Sequence, residues 1–257
     1  MQFQLNDVTK KLPKHLHKFV VKQPYEEYTA QNQAVWRYVM RINVDYLSKV
    51  AHNSYIKGLD KTGISTEVGK TVVSAIITQA LEADYWKPIQ AGELENSDTH
   101  KIERLISNKK TKLHPNSYAL QTPMSPHAAA EIDGIEIKLS KIKEPKTKNH
   151  LVIEGAGGLL VPLNNSETIL DIIKPDYKVI VVSRHYLGSI NHSLLTVNLL
   201  KEKGFDVSII FSGNEHKTTE NIIKKMTNVS VIGRIDEEPY FDKNVINEYA
   251  ELFRDKL

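Results

Sequence analysis

Two hydrophobic patterns divide the chain. Up to about residue 61, apolar positions recur at helical spacing. Val35, Tyr38, Val39, Ile42 and Tyr46 fall on one face and predict an amphipathic helix over 32–51. Beyond residue 62 the apolar positions gather into short β-branched runs at 151–155 (LVIEG), 178–183 (KVIVVS), 207–211 (VSIIF) and 229–233 (VSVIG). These runs are apolar without strict alternation, the mark of strands covered on both faces. Helical patterns lie between most of them. One spans 189–203 and meets Gly204, a residue suited to closing a helix. Strands alternating with helices predict an α/β fold with a doubly wound, mainly parallel sheet. Two regions follow, a helical N-terminal segment over 1–61 and an α/β domain over 62–257. The lysine-rich stretch 138–148 reads as a solvated helix end and loop.

Composition narrows the function. The 257 residues are 40% hydrophobic and 25% charged, enough for a substantial core. A net charge of +3, with lysines spread along the chain, predicts neither a nucleic-acid nor a membrane partner. The absence of cysteine excludes disulfides, thiolate metal sites and cysteine nucleophiles. No apolar stretch approaches the ~18 residues of a membrane span, and the N-terminus has no apolar signal core. A soluble cytoplasmic protein is expected. His15, His17, Tyr25, Tyr28 and Trp36 read as packing and capping residues rather than catalysts.

The string GISTEVGKT over 63–71, followed at once by the apolar helix pattern VVSAIITQAL, carries the chemistry. Glycines let backbone N–H groups close on phosphate oxygens at a helix start. Lys70 can place its charge between the β- and γ-phosphates, and the Thr71 hydroxyl can sit on Mg²⁺. Five residues separate Gly63 from Gly69, one more than the strict phosphate-loop pattern. A strand normally feeds such a loop. Residues 53–61 (NSYIKGLDK) make a poor central strand, because they contain Gly58 and alternate charges without an apolar run.

Other strings add candidates. Lys87, in YWKPIQAG, reads either as a surface lysine at a strand end or as a second cation over a transferred phosphoryl group. Asp98, in ENSDTH, reads as a helix cap or a metal ligand. Glu154 stands at the C-terminal end of a buried strand, where doubly wound sheets place ligands. Gly155, Gly157 and Gly158 allow a turn beside it. Thr71, Asp98 and Glu154 together would make an all-oxygen Mg²⁺ site. Ser125 in TPMSPHAAA and Ser189 in LGSINHSLLT precede helices, either as caps or as marks of helix N–H groups open to an anion. His127 and His192 read as structural.

Taken in order, GISTEVGKT, YWKPIQAG, NSD, SPHAAA, VIEGAGGLLVPL and LGSINHSLLT resemble dethiobiotin synthetase over about 62–257. The resemblance implies a P-loop NTPase-type fold. It also implies an ATP- and Mg²⁺-dependent ring closure of diaminopelargonate with CO₂. By motif, Thr66, Glu67, Val68, Gly69, Lys70 and Thr71 would form the phosphate loop, with Glu154 and Gly157 beside the nucleotide. Thr66, Lys70 and Lys87 would act in catalysis. Asn214 would read adenine, with Gly233 and Ile235 in the loop beside the base. Lys87, Ala91, Ser125, Pro126 and His127 would border the diamine. A homodimer is implied, in which Gly188, Ser189, Ile190 and Asn191 meet the substrate carboxylate across the interface. Ala91 stands where family members often carry Ser or Thr.

The segment from LPKHLHKF to TGIS resembles the opening of an aromatic amino acid hydroxylase catalytic domain, of the phenylalanine hydroxylase kind. That family's iron-binding histidine pair and later glutamate have no match after residue 65, so hydroxylase activity is not expected. TGIS fits both families, which points to a chimera joined at about 62–67. The junction costs the synthetase its usual first strand. Two further readings stand beside an active ligase: a fusion impaired by that loss, and a partition-type P-loop ATPase acting on DNA or membrane.

Overall fold

The computed structural model describes residues 69–257. The helix expected at 32–51, the segment ahead of the phosphate loop, and Thr66, Glu67 and Val68 lie outside the described residues.

The first helix, α1 (Lys70–Leu81), starts at Gly69, whose φ of 94° lies in the left-handed region that glycine adopts at little cost. Its buried positions Val73, Ala75, Ile76, Ile77 and Ala80 leave little polar surface, so the helix is central to the domain. Strand β1 (Asp84–Trp86) follows and pairs in parallel with β3 (Leu113–His114) and β5 (Leu151–Ile153), giving the order β3-β1-β5. A second parallel sheet has the order β6-β7-β8, from β6 (Lys178–Arg184), β7 (Asp206–Ser212) and β8 (Ser230–Ile235). A third parallel pair joins β2 (Ile89–Ala91) to β4 (Tyr118–Leu120). The remaining helices are α2 (Asp98–Leu105), α3 (Pro126–Ile132), α4 (Ser189–Glu202), α5 (Lys217–Thr227) and α6 (Lys243–Phe253).

Two cores cover the two faces of the strands, which makes the fold doubly wound. One joins α1 to Tyr85, Ile102, Val182, Ile210, Ile246 and Phe253. The other joins Val197, Leu200 and Ile223 of α4 and α5 to Val181, Ile209 and Phe211. A third, separate cluster of Ile89, Leu120, Ala129, Ile137, Leu163 and Ile169 lies beneath β2 and β4.

All four expected strand runs form, and the 189–203 pattern becomes α4, closed by Gly204 at φ +83°. Stretch 138–148 is loop with one short 3₁₀ turn at Leu139–Lys141. Three local expectations change. The N-cap of α4 is Gly188, and Ser189 lies inside the helix, buried. Ser125 occupies the N-cap of α3 but makes no capping bond there. Gly233 and Ile235 lie within β8 rather than in a loop. Ile235 packs in the core, and a Cβ on Gly233 would stand 2.4 Å from the Phe253 ring. The glycine is needed for helix α6 to close on the sheet.

Candidate active site

Lys87 follows the last residue of β1, at a break that Pro88 imposes between β1 and β2. Several bonds fix the break: the Trp86 indole donates to the Pro115 carbonyl (3.1 Å), Asn116 Nδ2 to the Lys87 carbonyl (2.7 Å), and Ser117 N–H to the Pro88 carbonyl (2.8 Å). The side chain is thereby turned inward. Lys87 is 6% exposed, so the surface-lysine reading fails. Its ammonium pairs with Asp98 and, at 3.2 Å, with Glu154 Oε1.

The two carboxylates arrive from different elements. Glu154 follows β5, its backbone N–H bonded to the Trp86 carbonyl at 3.0 Å. Asp98 is the first residue of α2. The cap of that helix is Ser97, which accepts from the His100 N–H while the His100 ring accepts from the Ser97 N–H. Asp98 is therefore not the cap, and its carboxylate is free to face Lys87 and, at 3.4 Å, Lys101. Thr71 Oγ1 donates to Glu154 Oε1 at 3.0 Å, and Tyr85 OH donates to Oε2 at 2.9 Å. Lys70 Nζ reaches the Gly157 carbonyl at 2.8 Å.

The electrostatics follow from this packing. Burial lowers the Lys70 ammonium from 10.5 to about 7, a shift that Glu154 opposes and Lys87 reinforces. Burial acts in the same direction on Lys87, but Glu154 and Asp98 outweigh it and hold that group above the usual lysine range. The Asp98 carboxyl would rise on burial, but Lys87, Lys101 and the Thr71 hydroxyl hold it low. The Tyr85 hydroxyl is raised well above its ordinary value, first by burial and then by Glu154 and Asp98. Two carboxylates thus favour the charged form of Lys87, while burial disfavours that of Lys70.

A cleft of about 900 Å³ opens over this cluster. Gly69, Lys70, Thr71, Lys87, Asp98 and Gly157 form its charged end, and Ala91, Ser125 and Pro126 lie along its wall. Helix N-terminus, lysines and cleft together suit a polyphosphate.

The family model described as an AAA domain matches residues 57–245. The ATP-dependent dethiobiotin synthetase BioD of Christiangramia forsetii is 64% identical over 197 residues, covering 76% of this chain and 95% of that protein. The chain belongs to the dethiobiotin synthetase family. The same-named protein of Cytophaga hutchinsonii is 48% identical over 192 residues, covering 74% of this chain and 93% of its own length. The described domain is thus that of an ATP-dependent ligase family, with its P-loop type of fold. Among solved structures, a ParA family ATPase from Chlorobium tepidum is similar at a TM-score of 0.45 and 10% identity, covering 75% of this chain and 94% of that one. No described helix is long and apolar enough to cross a membrane.

Among the described residues no three His, Cys, Asp or Glu side chains converge on a metal position. Two carboxylates and a hydroxyl do converge, at Asp98, Glu154 and Thr71. Hard oxygen donors of this kind fit Mg²⁺.

The remaining candidates lie apart from this cluster. The His127 ring contacts Ser125 Oγ at 3.2 Å, and the backbone N–H of His127 donates to the Pro162 carbonyl. Asn214 follows β7 and accepts from the Glu237 N–H at 3.4 Å. Ser212, the last residue of β7, faces Gly69, where a Cβ would meet its Oγ at 3.1 Å. Gly188, Ser189, Ile190 and Asn191 do not line the cleft.

Some neighbours were not singled out from sequence. Tyr85 is fully buried and holds Glu154. Gln90 binds the Gly92 carbonyl and receives the Asp98 N–H at 3.3 Å, so it fixes the start of α2. The signal for Tyr85 was its position two residues before Lys87, which gives it the same strand parity as Lys87; alternation alone does not reveal a hydroxyl partner.

Proposed function

We propose that the chain forms dethiobiotin from diaminopelargonate and CO₂ with ATP. The observation that carries this reading is the Lys87 ammonium held between Asp98 and Glu154, at the end of a cleft that also receives Lys70 and the start of α1.

One substrate amine adds to CO₂, forming a C–N bond and releasing a proton, to give a carbamate. A carbamate oxygen then attacks the γ-phosphorus of ATP, the bond to the β-phosphate oxygen breaks, and ADP leaves. The second amine attacks the carbonyl carbon of the resulting carbamic–phosphoric anhydride, the carbon–oxygen bond breaks, the amine gives up one proton, and phosphate departs as the ring closes. The reacting atoms belong to the substrates, so the protein acts by positioning and charge. Lys70 binds phosphoryl oxygens as it takes up a proton. Lys87 supplies a fixed charge from the substrate side. Thr71, Asp98 and Glu154 would hold Mg²⁺, which supplies charge neutralisation at the phosphates when bound. Ala91, Ser125, Pro126 and His127 border the diamine, and Asn214 reads the adenine.

Thr66, Glu67 and Val68 complete the phosphate loop in this reading. The active species is a cytoplasmic homodimer, in which Gly188, Ser189, Ile190 and Asn191 of one protomer face the substrate carboxylate in its partner. Residues 1–61 are a separate segment of hydroxylase-like origin. The poor strand pattern of residues 53–61, ahead of the phosphate loop, supports a second reading, a fusion that keeps the site but turns over poorly.

The test is ATP-dependent formation of dethiobiotin from diaminopelargonate and bicarbonate by the full chain, with Lys70→Ala as control. Turnover that disappears in the control is the expected result. No product from a folded chain that binds ATP would remove the active-ligase reading and leave the impaired fusion.

A further inference from the structure

One oxygen of each carboxylate in the cluster is kept by a group other than Lys87. Tyr85 OH donates to Glu154 Oε2 at 2.9 Å, and Lys101 Nζ lies 3.4 Å from Asp98 Oδ1. The other two oxygens, Asp98 Oδ2 and Glu154 Oε1, are bridged by the Lys87 ammonium. Thr71 Oγ1 joins them, donating to Glu154 Oε1 at 3.0 Å and standing within hydrogen-bond reach of Asp98. The ammonium thus holds the same oxygens that, with Thr71, fit Mg²⁺.

An ammonium and a divalent ion on those oxygens exclude each other. Mg²⁺ binds oxygen at about 2.0–2.1 Å, so it needs the space between Asp98 and Glu154 that Lys87 Nζ fills. The side chains of Lys87 and Glu154 are 7% and 1% exposed, which leaves little water to screen two like charges side by side. Tyr85 is fully buried and keeps Oε2, so Lys87 cannot simply shift to that oxygen.

The cleft gives the side chain a second position. Pro88 and the Asn116 bond to the Lys87 carbonyl fix the backbone, whereas the side chain also lines the cleft with Gly69, Lys70 and Gly157. Release of the ammonium into water forfeits two ion pairs. Release onto phosphoryl oxygens replaces them with charge-assisted bonds. Cation and polyphosphate therefore favour each other's binding, and the coupling is equal in both directions.

We propose that Lys87 is a placeholder cation, which holds Asp98 and Glu154 together, yields them when Mg²⁺ binds, and turns to the phosphoryl group in the cleft. This rests on the reading that Thr71, Asp98 and Glu154 hold Mg²⁺. The probe is Mn²⁺, which takes the same oxygen ligands, its free fraction read by electron paramagnetic resonance with the full chain. Without nucleotide, Lys87→Met should bind Mn²⁺ more tightly than the parent by roughly 5–150-fold, the usual range of coupling between two sites. Adding Asp98→Asn to Lys87→Met should remove the gain. A second readout uses the parent alone: acetylation of the Lys87 amine, followed by peptide mass spectrometry. It should speed up when Mn²⁺ fills the site and slow again when a non-hydrolysable ATP analogue joins the metal. If Lys87→Met does not fold, this labelling decides the matter. Equal Mn²⁺ affinity in parent and variant, or a labelling rate unmoved once Mn²⁺ is bound, overturns the proposal. So does a chain that takes no Mn²⁺ in any of these forms, which removes the oxygen site as well. Tighter binding and faster labelling, with no dethiobiotin formed by the parent, would uphold the placeholder role and remove the active-ligase reading.

Discussion

Tyr85→Phe removes a single hydroxyl from the interior and leaves the ring packed among Ile102, Ile246 and Phe253. That hydroxyl is the donor given to Glu154 Oε2, at 2.9 Å; Thr71 and Lys87 both address Oε1. Glu154 is 3% exposed and Tyr85 0%, so water cannot simply replace the lost donor. Hydrogen bonds to charged groups contribute about 1.5–3 kcal/mol, and the lower half of that range applies here because Oε1 keeps both of its partners. A loss of about 2 kcal/mol corresponds to a fall in thermal midpoint of roughly 4–8 °C for a domain of this size. The assay is calorimetry of the full chain and variant in nucleotide-free buffer, paired with urea unfolding to confirm an unchanged m-value. A loss below about 0.5 kcal/mol would refute the reasoning, since neighbouring groups would then supply Oε2 without help.

Other substitutions probe the same cluster. Lys87→Met takes away the ammonium between Asp98 and Glu154 and leaves Asp98 only Lys101, at 3.4 Å, as a direct ion-pair partner, and stability should fall by about 3–5 kcal/mol without metal; Mg²⁺ should return part of it, and an equal midpoint with and without Mg²⁺ would count against the oxygen site. Lys70 has its folded-state value lowered from 10.5 to about 7, so between those values the unfolded chain holds one more proton at this residue. Stability of the parent should therefore rise with pH across that window relative to Lys70→Met, and parallel urea midpoints over the window would contradict it. Gly92→Ala should cost roughly 1–3 kcal/mol, because φ is +71° there and the new Cβ would stand 2.4 Å from Pro123 Cβ; an unchanged midpoint would show that the loop yields.

The strands β5, β6, β7 and β8 were legible because each carries an unbroken apolar run, and in β6 and β7 consecutive residues, which point to opposite faces, are buried. The short pairs β1–β3 and β2–β4 were harder to read. They hold only two or three residues each and are interrupted at Lys87–Pro88 and Pro115–Asn116, so no period builds up. Glycine gave mixed signals. Gly204 ends a helix as expected, whereas Gly233 is a packing concession to Phe253, twenty residues away, that no local pattern marks. Site residues followed the same division. Lys70, Thr71, Lys87, Asp98 and Glu154 sit in motifs and meet in the structure. The choice of Ser97 over Asp98 as cap depended on the His100 ring, and the burial of Lys87 on carboxylates 11 and 67 residues distant.

The small β2–β4 sheet, with its own core under α3, supplies the wall of the cleft that carries Ala91, Ser125 and Pro126. The charged end comes from α1, β1, α2 and β5, which rest on a different core. Substitutions in the smaller cluster can therefore reshape what the cleft admits while the phosphate-facing groups keep their positions. The two parts of the cleft therefore answer to separate sets of packing contacts.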